Sequence, residues 1–255
     1  MNAKVIAIAN RAGGVAKTAS SAAIGARFAQ LGFKSLLVDI DDQGDLSDHF
    51  LDIIPSKTAS SMFYDGSLPI QEVWDNLSII ASNQNLAGVE KKINPNAKTL
   101  LTRALEPARA MFDFIILDCP PALNVITLNA LTASDYLFVP AKADQKSLNA
   151  LSRMAQVCYM SGKPTKIDGI FITMFDVRTN LAKEKEAEIR ELYGDTVFNT
   201  KISQCAKVPA CAAKRKNLFT YAPSSKAAVE YGCLVDEILA RMGCSSNGAN
   251  HSESK

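Results

Sequence analysis

A short glycine-containing loop at residues 10–18 (Asn-Arg-Ala-Gly-Gly-Val-Ala-Lys-Thr) carries residue types that bind phosphate. At its end, Lys17 could contact the outer phosphates of a nucleotide, and the Thr18 hydroxyl could hold Mg²⁺. An apolar run precedes the loop and a small-residue helical stretch follows it, so backbone N–H groups would face an anion at a helix N-terminus. The general pattern G-x-x-x-x-G-K-[ST] is incomplete, because Arg11 and Ala16 occupy its two glycine positions.

Carboxylates at two strand ends accompany this loop. The run Leu36-Leu37-Val38 leads into Asp39, and the run Ile115-Ile116-Leu117 leads into Asp118. A lone aspartate after a strand is more often a helix cap, but two such ends behind a phosphate loop favour Mg²⁺ binding. We therefore predict Thr18, Asp39 and Asp118 as metal ligands. Asp41, two residues beyond Asp39, is placed to align an attacking water beside the γ-phosphate.

The elements that must position these residues follow an alternating order. Candidate strands lie at Lys4–Ala9, Ser35–Ile40, Leu77–Ala81, Phe114–Asp118, Tyr136–Pro140 and Lys166–Thr173, with helical stretches at 18–31, 97–110, 124–133, 146–161 and 180–193. Several strands lack polar alternation, as is typical of parallel strands covered on both faces. The order predicts an α/β fold, a doubly wound and mostly parallel sheet flanked by helices, with its ligand at the carboxyl ends of the strands.

Length and composition limit the alternatives. The chain has 255 residues, a net charge of +2 and 47% hydrophobic residues, which fits one soluble domain over residues 1–242 followed by a disordered tail at 243–255. No apolar run approaches the ~18 residues that span a membrane, so no membrane partner is expected. Six cysteines at scattered spacings indicate neither a zinc site nor a disulfide framework.

The order and spacing of the motifs resemble ParA/Soj-type partitioning ATPases of the ParA/MinD superfamily, which carry a deviant Walker A loop. The resemblance rests on the loop at 10–18, on Asp39-Ile40-Asp41-Asp42-Gln43-Gly44, on Asp118-Cys119-Pro120-Pro121, and on the segments 82–88, 173–181 and 193–198. It covers nearly residues 1–242. It implies a P-loop NTPase fold with ATP and Mg²⁺ as cofactors, and switch regions at Asp39–Asp45 and Asp118–Asn124.

The resemblance also implies roles for individual residues. Lys17 and Asp41 would be catalytic, and the base would lie near Phe175 and Asp176. The cofactor-binding residues of the loop would be Gly13, Gly14, Val15, Ala16, Lys17, Thr18 and Ala19. Such proteins form an ATP-dependent sandwich dimer, bind DNA nonspecifically, and release it after a ParB-like or other partner stimulates hydrolysis. The expected location is the bacterial cytoplasm, associated with the nucleoid if the protein binds DNA.

One departure from the family pattern K-G-G-x-x-K-[ST] bears on catalysis. The family's first lysine crosses the dimer interface to the partner's nucleotide, but this chain has Ala12 there. A trans cation can be worth about 10³–10⁵ in rate in related phosphoryl transfer. We therefore expect weak hydrolysis, with rescue by the adjacent Arg11 left open. The alternative is a hydrolysis-deficient, ATP-sensing regulator or scaffold bound to DNA.

Residues 201–222 contain five cations and no acidic residue: Lys201, Lys207, Lys214, Arg215 and Lys216. Because Lys and Arg give sequence-independent affinity for phosphates, we predict these residues as the DNA-binding set. A solvated surface is the alternative interpretation. An electron carrier like the nitrogenase iron protein shares the loop architecture but needs an ordered cysteine pair, for which Cys119 and Cys158 are the nearest candidates.

Overall fold

The computed structural model describes residues 2–160 and 166–244, and within them apolar segments alternate with helices to build one mixed sheet. Its strand order is β3-β4-β2-β5-β1-β6-β7-β8, and every neighbouring pair is parallel except β3 and β4. The strands are β1 Lys4–Ile8, β2 Ser35–Asp39, β3 Ile70–Trp74, β4 Leu77–Ile80, β5 Phe114–Asp118, β6 Tyr136–Lys142, β7 Gly169–Phe175 and β8 Val197–Ser203.

Helices cover both faces of the sheet. They are α1 Lys17–Gln30, α2 Asp45–Phe50, α3 Ser60–Tyr64, α4 Ala87–Lys92, α5 Leu100–Arg109, α6 Val125–Ala133, α7 Gln145–Met160, α8 Asn180–Tyr193, α9 Lys207–Ala213, α10 Leu218–Tyr221 and α11 Lys226–Arg241. One buried core joins α5, α6 and α7 to the sheet, and a second joins α1 and α11 to its other face. Within the described ranges, no helix is long and apolar enough to cross a membrane.

The predicted α/β fold is confirmed, and the six predicted strands are present, Phe114–Asp118 with the predicted bounds and the other five with shifted ends. β6 continues past Pro140, which lacks an N–H donor, because β1 has already ended at Ile8 on the side that Pro140 faces. The Pro140 carbonyl there accepts a hydrogen bond from Asn10 Nδ2 at 2.7 Å. The antiparallel edge strand β3, the strand β8 and the long helix α11 were not predicted. Apart from 243 and 244, the predicted tail lies outside the described residues, as does residue 161.

Parallel pairing gathers the functional loops at one edge of the sheet. Asp118 at the end of β5 is in register with Ile8 at the end of β1 and with Asp39 at the end of β2. α1 then lies close over β2, because Gly25 has no side chain; a Cβ there would meet Leu37 Cδ2 at 2.7 Å. The loop that starts α1 therefore lies directly beside the acidic ends of β2 and β5.

Candidate functional site

The loop at residues 10–18 leaves open space at the N-terminus of α1. A Cβ added at Gly13 or Gly14 would have no neighbouring atom within 4 Å. Ala16 precedes the helix in the left-handed conformation (φ 60°, ψ 34°), and no described side chain caps the first turn. The unpaired N–H groups of that turn and the positive end of the 14-residue helix therefore form an anion site.

Two contacts from neighbouring strands hold the loop in this shape. Asn10 is buried, and its side chain donates to the Pro140 carbonyl and accepts from the Ala12 N–H at 2.9 Å. The Thr173 hydroxyl, at the end of β7, donates to the Val15 carbonyl at 3.1 Å. Val15 itself is buried, so it supports the loop from below.

Lys17 is the only described cation that the loop buries, with 8% of its surface exposed. Its Nζ donates to the Ala12 carbonyl at 3.2 Å. Burial lowers the pKa of Lys17, while the charges of Asp118 and Asp41 act in the opposite direction. The ammonium group thus lies between the loop and two carboxylates. In this position it could bind the oxygens of a phosphate held by the loop.

Asp118 is anchored to the same helix. It is buried, and its Oδ1 accepts a hydrogen bond from the Ser21 hydroxyl at 2.7 Å. The Thr18 side chain is close enough to lower the pKa of Asp118. Burial raises the pKa of Asp118 to about 6, and the hydrogen bonds from Ser21 and Thr18 and the charge of Lys17 oppose that shift. A hydroxyl and a carboxylate side by side are the hard oxygen donors that Mg²⁺ prefers, so Thr18 and Asp118 fit this cation. Sequence reasoning missed Ser21, although it lies three residues after Thr18 on the same helix face.

The contacts of Asp39 differ from those expected of the metal ligand that we predicted. Its carboxylate is buried and accepts from the Asp41 N–H at 3.1 Å, the Ser47 N–H at 2.9 Å and the Ser47 hydroxyl at 2.6 Å. Burial, with a smaller contribution from Asp118, raises its pKa to about 8. Asp41 is half-buried beside the loop, its Oδ1 accepts from the Gln43 N–H at 3.2 Å, and burial raises its pKa. Asp41 therefore faces the site, whereas Asp39 is held by protein donors.

A cavity of about 1010 Å³ opens above the loop. Of the predicted residues, it is lined by Gly13, Gly14, Ala16, Lys17, Thr18, Ala19, Asp41 and Lys216. Its far wall is formed by Met174 near the end of β7 and by residues 202–206 and 208–209, which include the end of β8 and the segment after it. Sequence reasoning did not single out this wall.

The two residues predicted near the base do not line this cavity. Phe175 is buried, with Lys201 Nζ 4.5 Å from its ring centre. Asp176 pairs with Arg178 at 2.8 Å, and hydrogen bonds from that guanidinium lower its pKa to about 2. Met174 has a left-handed backbone (φ 50°) at an irregularity in the β7–β8 pairing, and its side chain lines the cavity while Phe175 is buried.

The predicted cations differ in the contacts that they make. Lys201 Nζ pairs with Glu186 at 2.9 Å. Arg215 donates from Nε to the carbonyls of Asp48 and Leu51, both at 3.0 Å, and pairs with Asp52. Exposed ammonium groups remain at three positions: Lys207 at the start of α9, and Lys214 and Lys216 on either side of the Tyr221 ring.

Cysteine chemistry finds no support in the described part of the chain. None of the six cysteines forms a disulfide, and no group of three or more His, Cys, Asp or Glu side chains is arranged to hold a metal. Cys119 and Cys158 are both buried. The fit for Mg²⁺ depends instead on one hydroxyl and one carboxylate, which leave coordination positions for phosphate and water.

The left-handed Ala16 yields a stability prediction. Replacing Ala16 with glycine is expected to raise the free energy of unfolding by about 0.5–1 kcal/mol, because relief of left-handed strain exceeds the added unfolded-state entropy. Urea denaturation measures the change. Ala22→Gly, the same substitution inside α1, is the matched control and should lower the free energy of unfolding by about 1 kcal/mol. Equal destabilisation by both variants would contradict the strain argument.

Comparison with known proteins gives consistent matches. A protein-family model described as an AAA domain matches residues 3–164. The sporulation initiation inhibitor protein Soj of Bacillus subtilis is 34% identical over 251 residues, covering 93% of this chain and 98% of that protein. The chromosome partitioning protein ParA of Myxococcus xanthus is 30% identical over 252 residues, with 93% and 88% covered. A solved structure of cobyrinic acid a,c-diamide synthase from Mycobacterium smegmatis, with bound ATP analogue and magnesium, superposes with a TM-score of 0.81 at 27% identity, covering 94% and 96% of the two chains.

Proposed function

The chain belongs to the ParA/Soj-type partitioning ATPases, and we propose that it binds ATP with Mg²⁺ at the loop of residues 10–18 and hydrolyses it slowly. The observation that carries the proposal is the uncapped N-terminus of α1 above an open glycine loop, with Lys17 beside Asp41 and Asp118. In a loop with only a structural role, the unpaired N–H groups of this helix end and the buried lysine beside them would cost free energy without any compensating interaction.

Each residue has a distinct part in the proposed reaction. The N–H groups of the first turn of α1 and the Lys17 ammonium bind the phosphates. Thr18 and Asp118 hold Mg²⁺, which supplies neutralisation of the phosphate charge. Asp41, half-buried at the cavity wall, orients the attacking water. The far wall at Met174 and residues 202–206 encloses the rest of the nucleotide.

Ala12 is the reason for proposing slow hydrolysis. Its methyl side chain supplies no cation to a neighbouring nucleotide, and Arg11, next to it, is exposed. A measurement of ATP turnover with DNA and the cognate partner present tests this step. Turnover above that of an Asp41→Ala control is expected; equal rates would refute the enzymatic part of the proposal.

We propose that ATP brings two copies together over this edge of the sheet. Large apolar side chains are exposed beside the site, with Met174 41%, Val177 57% and Leu181 63% accessible. Such residues cluster at surfaces that become covered. Light scattering should report a dimer with ATP and a monomer with ADP. A monomer in both states would remove the sandwich mechanism.

DNA binding is proposed for the exposed cations of α9 and the turn that follows it. Lys207, Lys214 and Lys216 have ammonium groups free to contact phosphates, whereas Lys201 and Arg215 make contacts within the fold. We place the protein in the bacterial cytoplasm, on the nucleoid when ATP-bound, with a ParB-like protein as the partner that stimulates hydrolysis. Soj-type relatives and the basic segment support this assignment.

The exposed cations and the cations that make contacts within the fold should differ in how much each contributes to DNA binding. Lys214→Ala is expected to weaken nonspecific DNA binding and to lower the slope of log affinity against log salt by about 1 per DNA-contacting chain. Lys201→Ala, the matched control, should leave that slope unchanged while loosening the Glu186 contact. Fluorescence anisotropy at several salt concentrations measures both. Equal slopes for Lys214→Ala and the natural protein would exclude Lys214 as a phosphate contact.

The second candidate function is a hydrolysis-deficient, ATP-sensing regulator or scaffold on DNA. Ala12 is the observation that favours it, because every other proposed nucleotide contact of the loop is retained. ATP-dependent dimerisation and DNA binding without turnover would identify this form. It shares the nucleotide site with the first candidate and differs in whether the bound nucleotide is consumed.

A further inference from the structure

The carboxylate of Asp39 is almost fully committed to donors within the protein. Its Oδ1 accepts from the Asp41 N–H, and its Oδ2 accepts both from the N–H and from the hydroxyl of Ser47. The two oxygens of a carboxyl group offer at most about four acceptor positions, so these three bonds fill most of them. The side chain is buried and does not line the cavity above the loop, as is also true of Asp118, so the two carboxylates differ in their hydrogen-bond partners rather than in their burial.

The Ser47 hydroxyl extends this contact to the segment that follows β4. While donating to Asp39 at 2.6 Å, the same oxygen accepts from the Ser82 N–H at 2.7 Å. The hydroxyl proton is therefore directed at Asp39, and both groups are buried. The chain of bonds joins the carboxyl end of β2, the first turns of α2 and the segment just after β4.

The loop between the two Asp39 contacts contains the proposed water-orienting residue. Asp41 is held at its N–H by Asp39, and its carbonyl accepts from the Gly44 N–H at 3.2 Å. α2 has only six residues, too few to be stable by itself, so its position depends on what its side chains contact. Ser47 supplies that contact from within the helix. Asp39 thus fixes both ends of the segment that carries Asp41.

We propose that Asp39 is a positioning residue, which sets the loop at 41–44 and α2 through Ser47, and that it is not a direct Mg²⁺ ligand. Oδ2 is filled by the buried N–H and hydroxyl of Ser47, so direct ligation through it would leave one of these groups without a partner, and Oδ1 already accepts from the Asp41 N–H. Thr18 and Asp118 are left as the protein ligands. This inference rests on the proposed nucleotide site. It assigns Asp39 a positioning role, whereas its residue type and place at a strand end favour a metal ligand.

The first test measures how much Mg²⁺ is needed for tight binding of a fluorescent ATP analogue. Asp39→Asn is expected to leave the Mg²⁺ midpoint within about twofold, since no ligand is lost, whereas Asp118→Asn should raise it at least about tenfold. A midpoint shift for Asp39→Asn equal to that of Asp118→Asn would overturn the proposal. Absence of nucleotide binding in the natural protein would instead refute the proposed function.

The second test separates positioning from general stability. Ser47→Ala should lower turnover at least about tenfold while the dissociation constant for the ATP analogue changes less than about threefold, because binding groups are retained and Asp41 is displaced. Ser35→Ala is the matched control: Ser35 is a buried serine at the other end of β2, and its hydroxyl donates to the Phe33 carbonyl. Equal effects of the two serine substitutions would contradict a positioning role.

A third measurement does not depend on nucleotide or turnover. Hydrogen exchange at the amides of Asp41, Ser47 and Ser82 should accelerate at least about tenfold in Asp39→Asn and Ser47→Ala. Each of these amides loses either its own acceptor or a hydrogen bond that holds its acceptor in place. In Ser35→Ala these three amides should exchange as in the natural protein. Unchanged protection in Asp39→Asn would show that the carboxylate does not hold this segment.

Discussion

Replacing Ala12 with lysine is expected to raise ATP turnover by about 10³-fold in the dimer, because a cation reaching the partner's nucleotide stabilises the transferring phosphoryl group. The loop can accept the change. The Ala12 N–H is held by Asn10 and its carbonyl by Lys17, so the backbone is fixed without help from the side chain. Ala12 is also partly exposed, which leaves a lysine side chain room to extend away from the loop.

A length control makes this first prediction specific to charge. Ala12→Gln adds a long side chain without a cation and is expected to leave turnover within about threefold of the natural rate. Steady-state phosphate release with and without DNA measures all three proteins. A lysine variant no faster than the glutamine variant would show that the missing cation does not limit the rate. If Arg11 already supplies that charge, Arg11→Ala should lower the natural rate.

The second large effect is expected from Lys17→Ala, which should weaken binding of an ATP analogue by about 10²–10⁴-fold. Two charge-assisted hydrogen bonds to phosphate, each worth about 1.5–3 kcal/mol, would be lost. The loss is aggravated by the setting, because Asp41 and Asp118 would then face the phosphates without the cation between them. Since Lys17 is buried in the loop, no flexible surface lysine can take its place.

Titration with a fluorescent ATP analogue measures the affinity of Lys17→Ala. Lys226→Ala is the matched control, because Lys226 is an exposed lysine that pairs with Glu230 in α11 at 3.7 Å. It should leave the dissociation constant unchanged within about twofold. A loss of less than about fivefold for Lys17→Ala would place the phosphates elsewhere than at this loop.

The fold and the nucleotide loop could be predicted from sequence because both are recorded locally. Continuous apolar runs such as 114–117 specify buried parallel strands wherever they occur. The glycine pair at 13 and 14, followed by Lys17 and Thr18 at the start of a helix, specifies an anion site through backbone geometry alone. The edge strand β3 escaped prediction because it is partly exposed and carries Gln71 and Glu72 at its centre, which gives a weaker apolar signal.

The predictions that changed concern how side chains are used once the chain has folded. Asp39 ends its strand as Asp118 does, but only the tertiary structure brings Ser47 against it and commits its oxygens to α2. Lys201 and Arg215 belong to one basic stretch of sequence, yet each meets a distant acidic residue or carbonyl.

The sequence by itself determined the α/β fold and a glycine loop at the start of a helix, because strand, helix and loop chemistry depend on neighbours along the chain. The tertiary structure alone decided which carboxylates and cations remain available for a ligand. A buried polar group must find a partner, and that partner is set by packing between distant segments. Asp118 accepts from Ser21 of α1 for this reason, and Asp39 accepts from Ser47 of α2.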